Sequence, residues 1–552
     1  MNRSQLDFWP CKTPTSPFYR KVAYFSMEIA IDQALKTYSG GLGFLAGSHL
    51  RSAHDLKQNM IGISILWKHG YYTQNWASNR EMRVDYIDQY YSFLHDTGIL
   101  FPVNIHGHDV MVKVWLLKPE VFGTAPIYFL STDTHQNDFI SQTITHRLYD
   151  ANVATKVAQS IVLGVGGAKL IEILGEKIEV YHMNEGHALP LGFYLYTKCH
   201  SVEEVRKQLV FTTHTPEMAG NEERPLDLLH EMNFFSGLPL SEVKRIAQIE
   251  GEQLNYTLTA LRMSRLANGV SELHGSVAKK MWESNEGICP IISITNAQNK
   301  KYWADPVLEK AAKGNHQHAL VHRKRELKKK LFKVVADQTG KLFEPKVLTI
   351  VWARRFAAYK RPDLLLFDME RLVHLVTRTH HPVQIIWAGK PYPEDVQGIA
   401  TFNYIQSKTR DLPRCAVLTG YEMALSALLK KGADVWLNTP RITREASGTS
   451  GMTAAMNGAL NVSVLDGWVP EFAKQGENGF YLPEAKVEWP LEQQDYEDYR
   501  QLMHILEGMV VPTYYHHTEK WAAMMKSSMQ SVCPQFDSDR MAKAYYDKLY
   551  NN

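Results

Sequence analysis

The chain has 552 residues, with 61 Lys+Arg against 58 Asp+Glu, for a formal net charge of +3. Apolar residues at 45% and charged residues at 22% exclude a collagenous or disordered polymer. The near-neutral balance also excludes a nucleic-acid binder driven by bulk charge.

From the N-terminus, MNRSQLDFWPCK lacks the apolar stretch of a signal peptide. VAYFSMEIA (22–30), MIGISILW (60–67), IEVYHMN (178–184) and LVFTTHT (209–215) read as a first set of strands. Between them, Val157 to Leu174 carries Gln159, Lys169 and Glu172, which makes it too polar for a bilayer span. KVLTIVWA (346–353), PVQIIWAG (382–389), AVLTG (416–420) and ADVWLN (433–438) form a second set. Longer helical patterns alternate with these runs, which predicts an α/β protein of two doubly wound domains with parallel sheets, dividing near 296–345. Ligands bind at the carboxyl ends of such strands. The basic stretch HRKRELKKKLFKVV (322–335) reads as a solvated helix face, with Leu327, Leu331 and Val334 or Val335 pointing inward. From Tyr496 onward the pattern is helical, and helices closing over both domains are expected. Cys11, Cys199, Cys289, Cys415 and Cys533 are scattered without CxxC spacing, which predicts a reducing compartment and a cytoplasmic protein.

Four segments carry chemistry. In YSGGLGFLAGSHL (38–50), Gly40, Gly41 and Gly43 open a helix and would let backbone N–H groups approach an anion, although such loops also serve tight turns. WARRFAAYKRP (352–362) follows a strand. Its Arg355 and Lys360 could face one anion, the first as a fork of donors and the second as a point charge. In TREASGTSGMTAAMNGAL (443–460), Glu445 precedes the small residues Ala446 to Gly451, whose backbone N–H groups stay open to a sugar or phosphate. FTTHTPEMAG (211–220) puts His214 at a strand-to-loop junction. No HExxH or His/Cys cluster suggests a catalytic metal, and no GxSxG suggests a serine hydrolase.

Together with RLYDANVATKVAQSIVLGVGG, HMNEGHA, ANGVSELHG, ITN, WAGK, DVWLNTPR and LDGW (465–468), these segments run in an order that resembles the α-glucan phosphorylase family. The match is to the shorter bacterial-type members of that glycogen, starch and maltodextrin family. The resemblance implies the GT-B fold, with two Rossmann-like domains and the active site in the cleft between them. It implies transfer of glucose between an α-1,4-glucan and phosphate with retention, assisted by the phosphate of pyridoxal phosphate. Carried over by motif, His214, Arg355, Lys360 and Glu445 are catalytic. Asn296, Ala446, Ser447 and Gly448 hold the sugar, while Gly40, Gly41, Trp303, Tyr421, Thr449 and Ser450 face the cofactor. The domains expected are 1–300, 301–510 and a helical segment 511–552 returning to the first. Partners implied are an α-glucan or oligosaccharide and phosphate or sugar phosphate, with no nucleic acid or membrane, and with homodimerisation left open.

One position departs from the family. Where its members carry the Schiff-base lysine after EASGTSGM, this chain has Thr453, whose hydroxyl forms no imine. No lysine lies between Lys431 and Lys474, so covalent attachment of pyridoxal phosphate is expected to be absent. ITNAQNKKYW departs too, where the family has NGV or NGI. Three functions are compatible with this pattern: a phosphorylase holding pyridoxal phosphate non-covalently, a GT-B glycosyltransferase using a nucleotide sugar, and an inactive glucan-binding relative. The first accounts for the retained anion clamp and leads.

Overall fold

The computed structural model describes residues 9–314 and 317–552. Most of the N-terminal stretch read for a leader, residues 1–8, lies outside the described residues. Two compact units emerge. One comprises the chain as far as Tyr72 together with Tyr86–Asn296 and Ser538–Asn552; the other comprises Thr73–Asp85 and Ala297–Asp537.

The first unit is built on a nine-stranded sheet. Its strands are β1 (Val22–Phe25), β2 (Met60–Ile65), β3 (His95–Ile105), β4 (His108–Leu117), β5 (Ile127–Ser131), β6 (Val180–Asn184), β7 (Leu209–Thr212), β8 (Leu266–Gly269) and β9 (Ile291–Ser293), in the order β9-β8-β7-β6-β1-β2-β5-β4-β3. Pairing is parallel from β9 to β5 and antiparallel across the β4 edge. Parallel strands are covered on both faces and read as unbroken apolar runs, which is why β1, β2, β6 and β7 are legible in the sequence. β3 and β4 alternate buried and exposed residues, as a one-sided hairpin does. Helix α1 (Gly41–Asp55) lies against this sheet, and a built-on Cβ at Gly47 would fall 1.7 Å from the Ala30 carbonyl oxygen, so only glycine fits the contact. Val153–Leu174 is one continuous helix, long and apolar enough by length and composition to cross a membrane; 78% of that window is buried inside the protein. Its middle turn, Val162–Gly166, is π-helical and lets the backbone at Gly164 approach Ala188 and Leu191.

The second unit carries an all-parallel six-stranded sheet. Its strands are β10 (Leu348–Ala353), β11 (Val383–Ala388), β12 (Cys415–Leu418), β13 (Val435–Asn438), β14 (Leu460–Ser463) and β15 (Gly479–Tyr481), in the order β12-β11-β10-β13-β14-β15. The pleat splits its residues between two cores. Leu348, Ile350, Trp352, Ile385, Trp387, Val435 and Leu437 pack in one, whereas Val351, Ala353, Ile386, Ala388 and Trp436 pack in the other. The ribbon Thr73–Trp76 with Met82–Asp85 belongs to this unit, and its Gln74 donates to the Gly389 carbonyl at 2.9 Å and accepts from the Gly420 N–H at 3.0 Å. Gln74 thereby joins the loops that leave β11 and β12.

The basic stretch 322–335 lies within helix α2 (Gln317–Thr339), and its expected inward residues Leu327, Leu331 and Val335 are buried. The solvated-face reading fails at two lysines. Lys324 and Lys328 are also buried, the first donating to the carbonyls of Lys431 and Asn457, the second paired with Asp434 and donating to the Val347 carbonyl. Segment 511–552 divides. Helix Thr518–Phe536 packs against α2 in the second unit, whereas Ser538–Asn552 packs in the first.

Candidate functional site

In the second unit the site grows from the loop after β10 and the loop after β13. Arg354, the first residue beyond β10, is 4% exposed, and its Nη2 donates to Glu445 Oε2 at 2.6 Å. Lys360 Nζ lies 3.5 Å from the other oxygen of the same carboxylate. Burial alone would raise the Glu445 carboxyl, but Arg354 and Lys360 win and hold it below its ordinary value. The same burial, with Arg354 nearby, pushes Lys360 down to about 7 despite its acidic partner. Arg361 anchors the loop: its guanidinium donates to the carbonyls of Thr439 and Pro440 and to Asp495 and Asp498.

The EASGTSG loop is held from behind by LDGW. Asp466, pushed up to about 7 by burial, accepts from the N–H groups of Glu445 and Gly467, and Trp468 N–H donates to the Ser447 carbonyl. Gly448 has φ +81, and a Cβ there would crowd Glu445 and Arg354, so glycine is required by backbone and space together. Two buried polar atoms in this cradle, Arg354 Nη1 and Ser447 Oγ, have no hydrogen-bond partner in the protein. They fit a bound anion or hydroxyl group.

Helix α3 (Met423–Gly432) and helix α4 (Ser450–Ala455) pack beside this loop. Ala446 and Thr449 are buried, Ser450 Oγ bonds Trp436 Nε1, and the Tyr421 hydroxyl donates to the Ala353 carbonyl. Thr453 is fully buried, and its hydroxyl donates to the Ser450 carbonyl at 2.9 Å. Trp303 is 2% exposed and accepts at its carbonyl from Asn457. A hollow of about 430 Å³ lined by Phe356, Arg361, Asp395, Tyr404 and Arg441 abuts the loop after β10, but Arg354, Lys360 and Glu445 do not line it.

The expected clamp gains a member. Arg355 is exposed on the same loop, near enough to Lys360 and Glu445 to act on both electrostatically, while its neighbour Arg354 turns inward to Glu445. An alternation of one residue at the strand end decides which arginine is buried, and two adjacent arginines in a sequence do not reveal it.

In the first unit the glycine loop departs from expectation in its partner. Glu28, 2% exposed, accepts from Ser39 N–H at 2.6 Å, Ser39 Oγ at 2.9 Å, Gly40 N–H at 3.0 Å and the Tyr149 hydroxyl at 2.9 Å. The anion bound by this loop is thus a carboxylate of the chain itself. A Cβ at Gly40 or Gly41 would meet nothing within 4 Å, so the outer side of the loop faces open space.

His214 and Asn296 sit in one network of this unit. His214 Nε2 bonds Asn184 Oδ1 at 2.8 Å, and its N–H donates to Glu185 at 2.6 Å. Burial pushes His214 down to about 3, leaving a neutral ring. Since Asn184 Nδ2 donates to Ser26 Oγ, its Oδ1 accepts from His214, and His214 Nδ1 is the ring's acceptor. His274 bridges the Thr215 carbonyl and the Val270 N–H, and the Val270 carbonyl accepts from Asn296. Asn296 Oδ1 and His187 Nδ1 are buried without a hydrogen-bond partner. Glu185 has φ +74, a strained value for a residue with a side chain, and burial pushes it up to about 7.

Sequence reasoning missed Arg354, Glu28, Glu185 and Asp466. All four stand inside or beside segments singled out above, in WARRF, VAYFSMEIA, HMNEGHA and LDGW. For the three carboxylates, an acid inside or beside an apolar strand-end motif was the available signal.

The carbohydrate phosphorylase family profile matches residues 256–488. An uncharacterized protein of Methanocaldococcus jannaschii is 48% identical over 96% of this chain and 100% of its own length. The maltodextrin phosphorylase of Thermococcus litoralis is 33% identical over 96% of this chain and 70% of its own length. The glycogen phosphorylase of Aquifex aeolicus is 31% identical over 97% of this chain and 86% of its own length.

Proposed function

We propose, for a chain that belongs to the carbohydrate phosphorylase family, that it transfers glucose between an α-1,4-glucan and phosphate with retention, using pyridoxal phosphate held in the second unit. On this reading the two units are the Rossmann-like domains of a GT-B fold. The observation that carries it is the buried Arg354–Glu445–Lys360 cluster with Arg354 Nη1 still unsatisfied. A binding surface for neutral sugar alone has no need of two buried cations on one carboxylate.

Arg354, Lys360 and the backbone of Thr449 and Ser450 would hold the cofactor phosphate, with Tyr421 and Trp303 beside it. When bound, pyridoxal phosphate supplies a phosphate group that exchanges a proton with the substrate phosphate. Glu445, kept ionised by its two cations, accepts from sugar hydroxyls, and Ser447 Oγ offers a further partner. Lys360, near 7, carries its proton at Nζ for part of the time at neutral pH and so tunes the charge beside the transferred phosphate. His214, neutral throughout, and Asn296 Oδ1 serve as hydrogen-bond acceptors for sugar hydroxyls rather than as charges.

The test is incubation of the purified chain with maltodextrin, phosphate and pyridoxal phosphate, reading release of glucose 1-phosphate. Release that falls at least a hundredfold in Arg354→Met is expected, since a donor lost from a transition-state clamp costs about that much. No release, with transfer from a nucleotide sugar instead, would replace the reading by a glycosyltransferase. Glucan binding without either reaction would leave a binding protein.

A further inference from the structure

The hollow beside the loop after β10 takes no part in the proposed reaction. Its volume, about 430 Å³, lies in the range of pockets that hold a small ligand. Two aromatic rings of its lining are exposed, Tyr404 by 43% and Phe367 by 52%, and Tyr496 next to Phe367 is exposed by 54%. Scattered apolar residues at a surface are ordinary, but a cluster of large exposed rings around a hollow marks a binding surface. Phe367 is also held in place, since its ring stacks on buried Tyr499 at 5.1 Å with the planes 23° apart. The rest of the lining is largely polar. Asp363 and Gln397 are exposed there, and Asp395 caps the helix Val396–Thr409 through the Gly398 N–H at 2.9 Å. Both arginines of the lining are paired with carboxylates: Arg361 donates to Asp495 and Asp498, and Arg441 donates to both oxygens of Asp495.

We propose that this hollow is a second carbohydrate site, which holds a stretch of the α-glucan away from its reacting end. The proposal rests on the glucan substrate named above. Charge selects a neutral ligand: Asp363, Asp395 and Asp495 outnumber the two paired arginines, so a nucleotide or sugar phosphate meets like charge. Hydrogen bonding selects a polyol, because carboxylates accept from hydroxyls while the Gln397 amide both donates and accepts. The exposed rings offer apolar area to the C–H face of a pyranose. A ring already fixed by its neighbours, as Phe367 is, loses little freedom when a ligand covers it. The chain links this site to the reaction. The loop that brings Lys360 to Glu445 also lines the hollow through Phe356, Arg361 and Phe367. A polymer held at two places presents its end to the clamp at a raised effective concentration.

β-Cyclodextrin separates this site from the reaction, because a closed ring has no nonreducing end to be phosphorolysed. Calorimetry of the full-length protein is expected to show β-cyclodextrin binding that weakens at least tenfold in Phe367→Ala and in Tyr404→Ala. Phosphorolysis of maltopentaose should be unchanged in both variants, while KM for a long glucan rises severalfold at constant kcat. Gln397→Ala, which alters an exposed side chain, should also weaken binding and decides the matter if circular dichroism shows the aromatic variants unfolded. No β-cyclodextrin binding, binding that none of the variants alters, or tighter binding of ATP than of the sugar overturns the proposal. An equal loss of activity on maltopentaose would place these rings in the reaction site and overturn it too. Glucose 1-phosphate release without β-cyclodextrin binding would sink this site and leave phosphorolysis standing. Binding that the variants weaken, without any release, would support the site and reject the reaction.

Discussion

Glu445 shows how much a single carboxylate organises in this protein. Arg354 and Lys360 both converge on it in a nearly dry environment, where removing one partner strands the others. Glu445→Gln is therefore expected to cost about 3–5 kcal/mol of stability, read as a shift in the urea midpoint. A loss below about 1 kcal/mol would mean that water reaches the pair and screens it. Lys430 makes a pH prediction of defined sign. Its folded value near 7 lies below the ordinary 10.5, so between those limits the unfolded chain binds a proton that the folded chain does not. Stability from this group accordingly rises as pH increases from about 7 to about 10.5, and is lowest below 7. Relative to wild type, Lys430→Met should flatten that rise by a few kcal/mol, since each tenfold change in proton affinity is worth about 1.4 kcal/mol. Parallel curves for the two proteins across that window would refute it.

At the scale of elements, α1 and α2 illustrate opposite lessons about what a pattern conceals. The glycines of α1 suggest an anion loop, yet Gly47 is there because a backbone oxygen occupies the space where a side chain would be. Gly47→Ala should destabilise the first unit by upward of about 3 kcal/mol, since backbone and not a flexible side chain must yield. Thermal melting tests this, and an unchanged transition would show that α1 can slide outward. The lysines of α2 look like a solvated face, yet Lys328 crosses into the sheet to reach Asp434 at the start of β13. Lys328→Met leaves that carboxylate buried without its cation and should cost about 3–5 kcal/mol in the second unit, measured by denaturant unfolding. A neutral result would show that Asp434 is satisfied by the Thr349 N–H alone.

Across the whole molecule, the last fifteen residues close the first unit from a distant point in the chain. Tyr545, Tyr546 and Tyr550 are buried there; Tyr550 bonds His182 of β6, and Tyr546 donates to the Asn59 carbonyl. Each such side chain contributes roughly 1.5–3 kcal/mol, so their sum is comparable to the 5–15 kcal/mol that holds a domain folded. A chain ending at Asp537 is expected to lose protection in the first unit under limited proteolysis while residues 297–537 stay resistant. Equal resistance in both units would reject that assignment. By itself the sequence determined the α/β class, the eight apolar strands and the ordered motifs, because strands buried on both faces must be continuously apolar and motif spacing survives folding. It also determined that position 453 carries no amine. β5, β8, β9, β14 and β15, at three to five residues each, are not among the runs singled out in the sequence, and the alternating hairpin β3–β4 lacks the continuous apolar run that marks those that are. Only the tertiary structure decided that Arg354 donates to Glu445, that Glu28 fills the inner side of the glycine loop, and that Lys430 stands beside Trp303. Those outcomes depend on which side chains from remote segments share one dry space, and spacing along the chain carries no record of that.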